Sequence, residues 1–304
     1  MNYKELAAKP QGLVAGHRTC AGCGIPQIVR TVLAATDDPV VVTAATGCLE
    51  VTTTIYPFTS WNVPFIHSAF ENAAATITGI EAAYNALKRK GKIDKEIKFV
   101  AFGGDGGTYD IGLQALSGAF ERGHNFTYVL YDNEAYMNTG VQRSSATPRG
   151  AATTTSPAGK VHHGKEEWRK DIVKIAVAHH IPYVAQASVH NLMDLSMKAE
   201  KALNTPGPAF LNVIQPCTLG WRYPPQKTIE MAKLAVETKF WPLYEVENGK
   251  YKLNHTPSKE VPLTDYLKTQ GRFKHLFKPE NSGLLQELQQ RVHDQWDELL
   301  KLCE

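Results

Sequence analysis

Two short segments of this 304-residue chain carry oxygen donors where a metal-held anion needs them. Gly104-Asp105-Gly106 follows the apolar run Ile97-Lys98-Phe99-Val100-Ala101-Phe102, and Asp132-Asn133 closes the next such run, which begins at Phe126. A small hard cation such as magnesium takes oxygen ligands in near-octahedral array, some from protein and some from phosphate. Asp105 offers a carboxylate and Asn133 an amide oxygen, so together they read as a grip on a diphosphate. The flanking glycines let the backbone approach the phosphates with no side chain in the way. A helix expected to start near Asp110 turns its amide donors and positive dipole end toward them.

Glycines after a strand also open dinucleotide folds, but the register differs. A G-x-G-x-x-G fingerprint counted from Gly104 needs glycine where Tyr109 stands; counted from Gly107 it fails at the same residue, although Gly112 satisfies its last position. No G-x-x-x-x-G-K-[ST] loop occurs. Alone, Gly-Asp-Gly is equally a structural turn. Asp132-Asn133 at the next strand end shifts the reading to one half of a thiamine diphosphate site.

The second constellation is sulfur. Of the cysteines at 20, 23, 48, 217 and 303, the first two form a C-x-x-C pair in a glycine-rich loop, while Cys48 and Cys217 each close a predicted strand segment. This is no disulfide framework. Structural zinc usually joins two close pairs, whereas here the third and fourth thiols are single and distant in sequence. Iron–sulfur clusters accept such scattered ligands. Spacing therefore prefers a cluster over zinc, with unconnected buried cysteines as the third reading and Cys303 a bystander.

The elements that must bring these groups together follow from periodicity. We expect strands at 40–45, 97–102, 126–132, 183–187 and 209–214, and helices at 26–35, 71–90, 110–122, 170–180 and 192–203, with a glycine C-cap at Gly91. Strand and helix in strict alternation imply right-handed crossovers and an α/β fold with a doubly wound, mostly parallel sheet. In such sheets ligands lie beyond the carboxyl ends of the strands. The domain expected over 20–217 follows an N-terminal arm, 1–19. It precedes a C-terminal extension, 218–304, with a helix at 228–237, a hairpin turning at Asn248-Gly249 and a last helix at 282–302. The extension reads as a subunit contact. The polar stretch 138–165 lacks any period, as functional or mobile loops do. With 43% hydrophobic and 21% charged residues, a net charge of +3 and no long apolar run, composition is that of a globular chain in the cytoplasm. Nucleic-acid and membrane binding are not suggested.

Longer strings carry a resemblance. His17 with Cys20-Ala21-Gly22-Cys23-Gly24, Ala45-Thr46-Gly47-Cys48-Leu49-Glu50, the stretch from Trp61 to Asn72, Gly104 to Gly112, and Tyr131 to Gly140 closely resemble the beta subunits of pyruvate:ferredoxin oxidoreductases, over most of residues 12–245. The resemblance implies a thiamine diphosphate-binding fold. It matches Asp105, Asn133 and the Ala135 carbonyl to magnesium ligands, and Cys20, Cys23, Cys48 and Cys217 to ligands of one 4Fe–4S cluster. Gly104 and Gly106 flank the metal aspartate, Thr46 and Gly47 lie where the backbone nears the cofactor, and Asn138 matches a polar group near the reacting carbon. The implied activity is oxidative decarboxylation of pyruvate to acetyl-coenzyme A, the cluster passing electrons to ferredoxin. The glutamate that activates the aminopyrimidine belongs to the alpha subunit in that family, and no obvious equivalent stands here. Nor does the chain carry a C-x-x-C-x-x-C-x-x-x-C-P run. Alpha, gamma and delta partners are therefore expected.

Other residues have plainer readings beside functional ones. His67 is a relay or a hydrogen-bonded core residue. Glu50 touches the cofactor or forms an ion pair. Glu71 and Asn72 suit a helix start; His162-His163 suit a solvated loop; Arg143 and Arg149 face coenzyme A, a partner or solvent. Three alternatives remain open: the same chemistry on oxalate, branched-chain or aryl 2-oxoacids, a non-redox thiamine decarboxylase or carboligase, and a non-catalytic electron-transfer or zinc module.

Overall fold

Runs that are apolar at successive positions make strands covered on both faces, and the computed structural model, which describes residues 2–304, assembles eight of them into one sheet. The strands are β1 (Val40–Ala45), β2 (Phe65–Ser68), β3 (Lys98–Gly104), β4 (Thr127–Asp132), β5 (Tyr183–Ser188), β6 (Ala209–Ile214), β7 (Tyr244–Glu247) and β8 (Lys250–Leu253). Their order is β2-β1-β3-β4-β6-β5-β7-β8. The first six pair in parallel; β7 and β8 pair antiparallel. Helices before and between the parallel strands are α1 (Tyr3–Ala8), α2 (Ile25–Leu33), α3 (Cys48–Thr53), α4 (Ala73–Arg89), α5 (Leu113–Glu121), α6 (Ile172–Val177) and α7 (Leu192–Asn204). The remainder are α8 (Thr218–Trp221), α9 (Thr228–Glu237), α10 (Leu263–Leu267) and α11 (Ser282–Leu302).

Strands β4, β5 and β6 are buried at every position. Alternate residues feed two cores. Val100, Phe102, Leu211 and Val213 pack beneath α2 and α7, whereas Phe99, Ala101, Leu130 and Phe210 pack with α4, α5 and α6. Each of the valine, leucine and phenylalanine side chains contributes roughly 1.5–3 kcal/mol on leaving water. A one-residue slip would exchange the two sets, so register is fixed. A third core gathers Trp221, Met231, Trp241, Tyr266 and Phe273 beside Ile214.

The expected doubly wound sheet is present, with several local differences. The aromatic and proline-rich stretch after β1 holds α3 and the edge strand β2. Helical geometry begins not near Asp110 but at Asp105, which leads into a π-helical turn over Gly106–Asp110 without a capping hydrogen bond from its side chain. Asn72 occupies the N-cap of α4 but makes no capping hydrogen bond. Gly91 and the Asn248-Gly249 turn adopt the expected left-handed geometry. Residues beyond 217 supply β7 and β8 to the same sheet, so its continuity crosses the expected boundary.

Candidate functional site

Four strands that are consecutive in space, β1, β3, β4 and β6, end on one edge of the sheet. Beyond those ends come Thr46-Gly47-Cys48, Asp105, Asn133 and Cys217 in turn. Neighbouring strands lie about 4.8 Å apart, so three spacings span about 14 Å. Cys48 and Cys217 open short helices rather than closing strands, Cys48 following the N-cap Gly47 and Cys217 being itself the N-cap of α8.

Thr46, Gly47, Gly104, Asp105, Gly106, Asn133, Ala135 and Asn138 all line one cleft. At its base the Asn133 amide presents its oxygen side to Asp105 Oδ1 at 2.8 Å and to the Ala135 carbonyl oxygen at 2.9 Å. Three acceptors so close repel one another unless a cation lies among them, or the amide turns over and its nitrogen donates to both. Adjacent oxygens around magnesium, at bonds of about 2.0–2.1 Å, lie about 2.9 Å apart. The donor set and its spacing fit a magnesium-held diphosphate. Burial, then the neighbouring Asp132, holds the Asp105 carboxyl well above the usual range, and the Ser144 hydroxyl donates to it. Gly106 has a further reason to be glycine, because a Cβ there would sit 2.1 Å from the Tyr136 ring, whose hydroxyl donates to the Gly106 carbonyl at 3.0 Å.

Between Asn133 and Ala135, Glu134 is fully buried and has φ 67°. A non-glycine residue in that left-handed region costs about 1–3 kcal/mol. Its carboxylate accepts from Arg169 Nη1 at 3.0 Å and from Arg272, while Arg169 also bonds Asp132 Oδ2 at 2.7 Å. The Trp221 indole N–H donates to the Asn133 carbonyl at 2.8 Å, and the Arg272 guanidinium stacks on that indole at 4.0 Å. Sequence reading missed this group. A charged residue at the second position after an apolar strand, with arginines far along the chain, gives no local signal of pairing.

Cys20, Cys23, Cys48 and Cys217 line a second cavity of about 180 Å³. It shares a wall with the first, formed by Cys48, Asn133, Met137 and Asn138. All the cysteines are free thiols. Burial, joined by a smaller push from the neighbouring thiols, raises Cys23 and Cys48 to about 12, so thiolates there need compensating positive charge. Among the described residues no three His, Cys, Asp or Glu side chains close on a single ion. Four thiols around one cavity of that size are a donor set that fits an iron–sulfur cluster. Gly220 N–H donates to Cys217 Sγ at 3.4 Å. The C-x-x-C loop is docked by Thr228, whose hydroxyl donates to the Gly22 carbonyl at 2.6 Å; Gly22, at φ 75°, would place a Cβ 2.4 Å from the Pro225 carbonyl oxygen.

Thr46 Oγ1 lies 2.7 Å from His67 Nε2, and His67 Nδ1 lies 3.7 Å from Glu50 Oε1, so those three residues meet at the rim of the cleft. His162 pairs with Glu166 in an exposed loop, Arg149 stacks over Trp168 at 5.2 Å, and Arg143 is exposed. Cys303 lies at the end of α11, against the core of α4 to α6 and outside both cavities. Tyr131 lines the first cleft with a buried hydroxyl that has no hydrogen-bond partner.

Comparison with known proteins adds independent evidence. The family described as "Thiamine pyrophosphate enzyme, C-terminal TPP binding domain" matches residues 45–213. Pyruvate synthase subunit PorB of Thermotoga maritima is 54% identical, the alignment covering 100% of this chain and 97% of the relative. The protein of the same name from Methanocaldococcus jannaschii is 59% identical over 86% of this chain and 88% of its own. Ketoisovalerate oxidoreductase subunit VorB of Pyrococcus abyssi is 47% identical, covering 97% and 94%. A solved 2-oxoglutarate:ferredoxin oxidoreductase from Magnetococcus marinus shares the fold, with TM-score 0.58 and 22% identity over 74% of this chain and 80% of that one.

Proposed function

The chain belongs to the thiamine pyrophosphate enzyme family that includes pyruvate synthase subunit PorB, and from that premise we propose that it works as the beta subunit of a pyruvate:ferredoxin oxidoreductase. The observation that carries this is the common wall between the oxygen-lined cleft and the four-cysteine cavity. Thiamine diphosphate supplies an electron sink for decarboxylation of a 2-oxoacid, and a neighbouring 4Fe–4S cluster supplies a one-electron acceptor. Asp105, Asn133 and the Ala135 carbonyl hold magnesium, and Gly104 and Gly106 keep the metal turn compact. Thr46 and Gly47 line the cofactor's side of the cleft, and Cys20, Cys23, Cys48 and Cys217 hold the cluster. Asn138, exposed on the shared wall, donates a hydrogen bond to a substrate oxygen as charge builds on it.

Exposed apolar side chains support a partner over the site's mouth: Leu219 beside Cys217, and Val51, Tyr56, Phe58 and Ile66 between β1 and the end of β2. We assign that cover to an alpha chain bringing the activating carboxylate, with gamma and delta chains completing the complex, coenzyme A as acyl acceptor and ferredoxin as electron acceptor. No helix among the described residues is long and apolar enough to cross a membrane, and the cytoplasm is the proposed location. The match to a ketoisovalerate oxidoreductase subunit supports a second reading, in which a branched-chain 2-oxoacid replaces pyruvate.

Iron, acid-labile sulfide and thiamine diphosphate assays on the purified complex test the assignment. Both cofactors are expected. Thiamine alone would point to a non-redox decarboxylase or carboligase, and metal without thiamine to an electron-transfer or zinc module. Asp105→Ala should abolish thiamine diphosphate retention and leave iron intact; normal occupancy would remove Asp105 from the metal site. Turnover of a 2-oxoacid panel separates pyruvate from its rivals.

A further inference from the structure

We propose that Glu134, clamped between Arg169 and Arg272, is a positioning residue that sets the left-handed turn on which Asn133 and Ala135 present oxygens to the divalent cation. This rests on the metal reading given above.

Glu134 stands between two of the three converging oxygens, and its φ of 67° is what brings them to one side. An extended residue there would carry the Ala135 carbonyl away, since successive groups along extended chain alternate in direction. A buried glutamate in left-handed geometry is doubly unfavourable and persists only when its surroundings over-determine it. Here they do. Its N–H donates to Asp132 Oδ1 at 3.1 Å, and its carbonyl accepts from Thr147 Oγ1 at 2.6 Å. One carboxylate oxygen accepts from Arg169 at 3.0 Å and the other from Arg272. Every polar atom of the residue is therefore committed.

The clamps are themselves held. Arg169 is tied to Asp132 and to the Tyr109 hydroxyl at 2.7 Å, so it fixes the residue before Asn133 as well as the one after. Arg272 donates from Nε to Gln270 at 2.9 Å and stacks on Trp221, whose indole holds the Asn133 carbonyl. Planar guanidinium forks suit this task, because each engages its partner in a fixed direction. Arg272 belongs to the segment beyond 217, so part of the metal site's geometry is set from there.

The test uses the assembled complex freed of divalent metal and cofactor, then titrated with manganese in the presence of thiamine diphosphate. Paramagnetic resonance of the free ion gives the affinity without any assay of turnover. Loss of a group supporting metal ligands typically weakens affinity about 10–100-fold. Glu134→Ala should weaken binding within that range, and Glu134→Gln, which keeps an oxygen for the arginines, should weaken it less. Glu134→Gly should bind manganese more tightly than Glu134→Ala, because glycine enters the left-handed region freely. A merely structural role predicts instead a lower melting temperature in these variants with manganese affinity unchanged. Arg272→Lys, which leaves Glu134 intact and removes only the fork, should weaken binding about tenfold with iron content unchanged. Parent-like affinity in Glu134→Ala, or equal affinity of the glycine and alanine variants, overturns the proposal. If the parent complex itself takes up no manganese, the metal reading beneath it fails instead.

Discussion

Asp105 and Tyr131 show opposite ways for a buried polar group to await a ligand. The Asp105 carboxyl is raised by burial and by Asp132, and it accepts a hydrogen bond from the Ser144 hydroxyl. Tyr131 has no such contact. Its hydroxyl is buried and has no hydrogen-bond partner. Leaving a buried hydroxyl unpaired costs about 1–3 kcal/mol. It would also lie 2.7 Å from a Cβ on Gly47, so it stands directly against that glycine in the lining of the cleft. Burial keeps the phenol protonated, hence a donor, and the groups expected beside it are anionic. Tyr131→Phe should therefore raise the melting temperature of the cofactor-free complex by a few degrees and weaken thiamine diphosphate binding about 10–100-fold, the worth of a hydrogen bond to a charged group. Calorimetric titration checks the second effect; unchanged affinity would place the hydroxyl away from the cofactor.

At the scale of elements, the parts legible in the sequence were those whose signal is local. Strands β1, β3, β4, β5 and β6 are short, predominantly apolar segments between helical ones, and the Asn248-Gly249 turn declares a hairpin by the left-handed preference of both residues. The start of helical geometry at Asp105 was not legible, since Gly106 and Gly107 argue against helix. What permits the turn there is tertiary: the Tyr136 ring fills the space a Cβ would need. Strand β2 was hidden likewise, its four residues being held by pairing with β1 rather than by pattern. The hairpin, though foreseen, is anchored by a feature no pattern announces. Glu245 on β7 is buried and accepts from Tyr183, Lys201, Lys252 and Asn254. Burial alone would raise its carboxyl, but these donors outweigh it and bring it down to about 2. A lowered folded value contributes stability that is complete above the usual 4.5 and is lost as pH falls through about 2. Glu245→Gln should accordingly loosen β7 and β8 at pH 7, seen as faster amide exchange than in the parent. The difference should shrink as both are compared at pH values from 4.5 downward. A gap that is constant with pH would assign the anchor to shape rather than charge.

For the whole molecule, the sheet order converts scattered residues into one site, and it also makes the site's two halves unequal. Residues on β1, β3, β4 and β6 become neighbours only because β6 inserts between β4 and β5, an arrangement no local pattern contains. The segment 218–304, which reads in sequence as an appendage, reaches the site twice from the far side: Trp221 holds the Asn133 carbonyl, and Arg272 holds Glu134. Trp221 lies in α8, the short helix that Cys217 caps. Whatever fixes Cys217 thus fixes the indole that holds the Asn133 carbonyl, on the loop proposed to bind the metal. Asp105 has no such link in the other direction, because its partners are Ser144 and the cleft, not the cysteine cavity. The two cofactor sites should then be coupled asymmetrically. Cys217→Ser is expected to lower the iron content of the complex and also to raise several-fold the magnesium needed to retain thiamine diphosphate. Asp105→Ala should empty the thiamine site while iron stays at the parent level. Parallel metal analysis and cofactor titration of the two variants measure both directions at once. Full thiamine affinity in Cys217→Ser would show that the wall shared by the two cavities separates them without linking them.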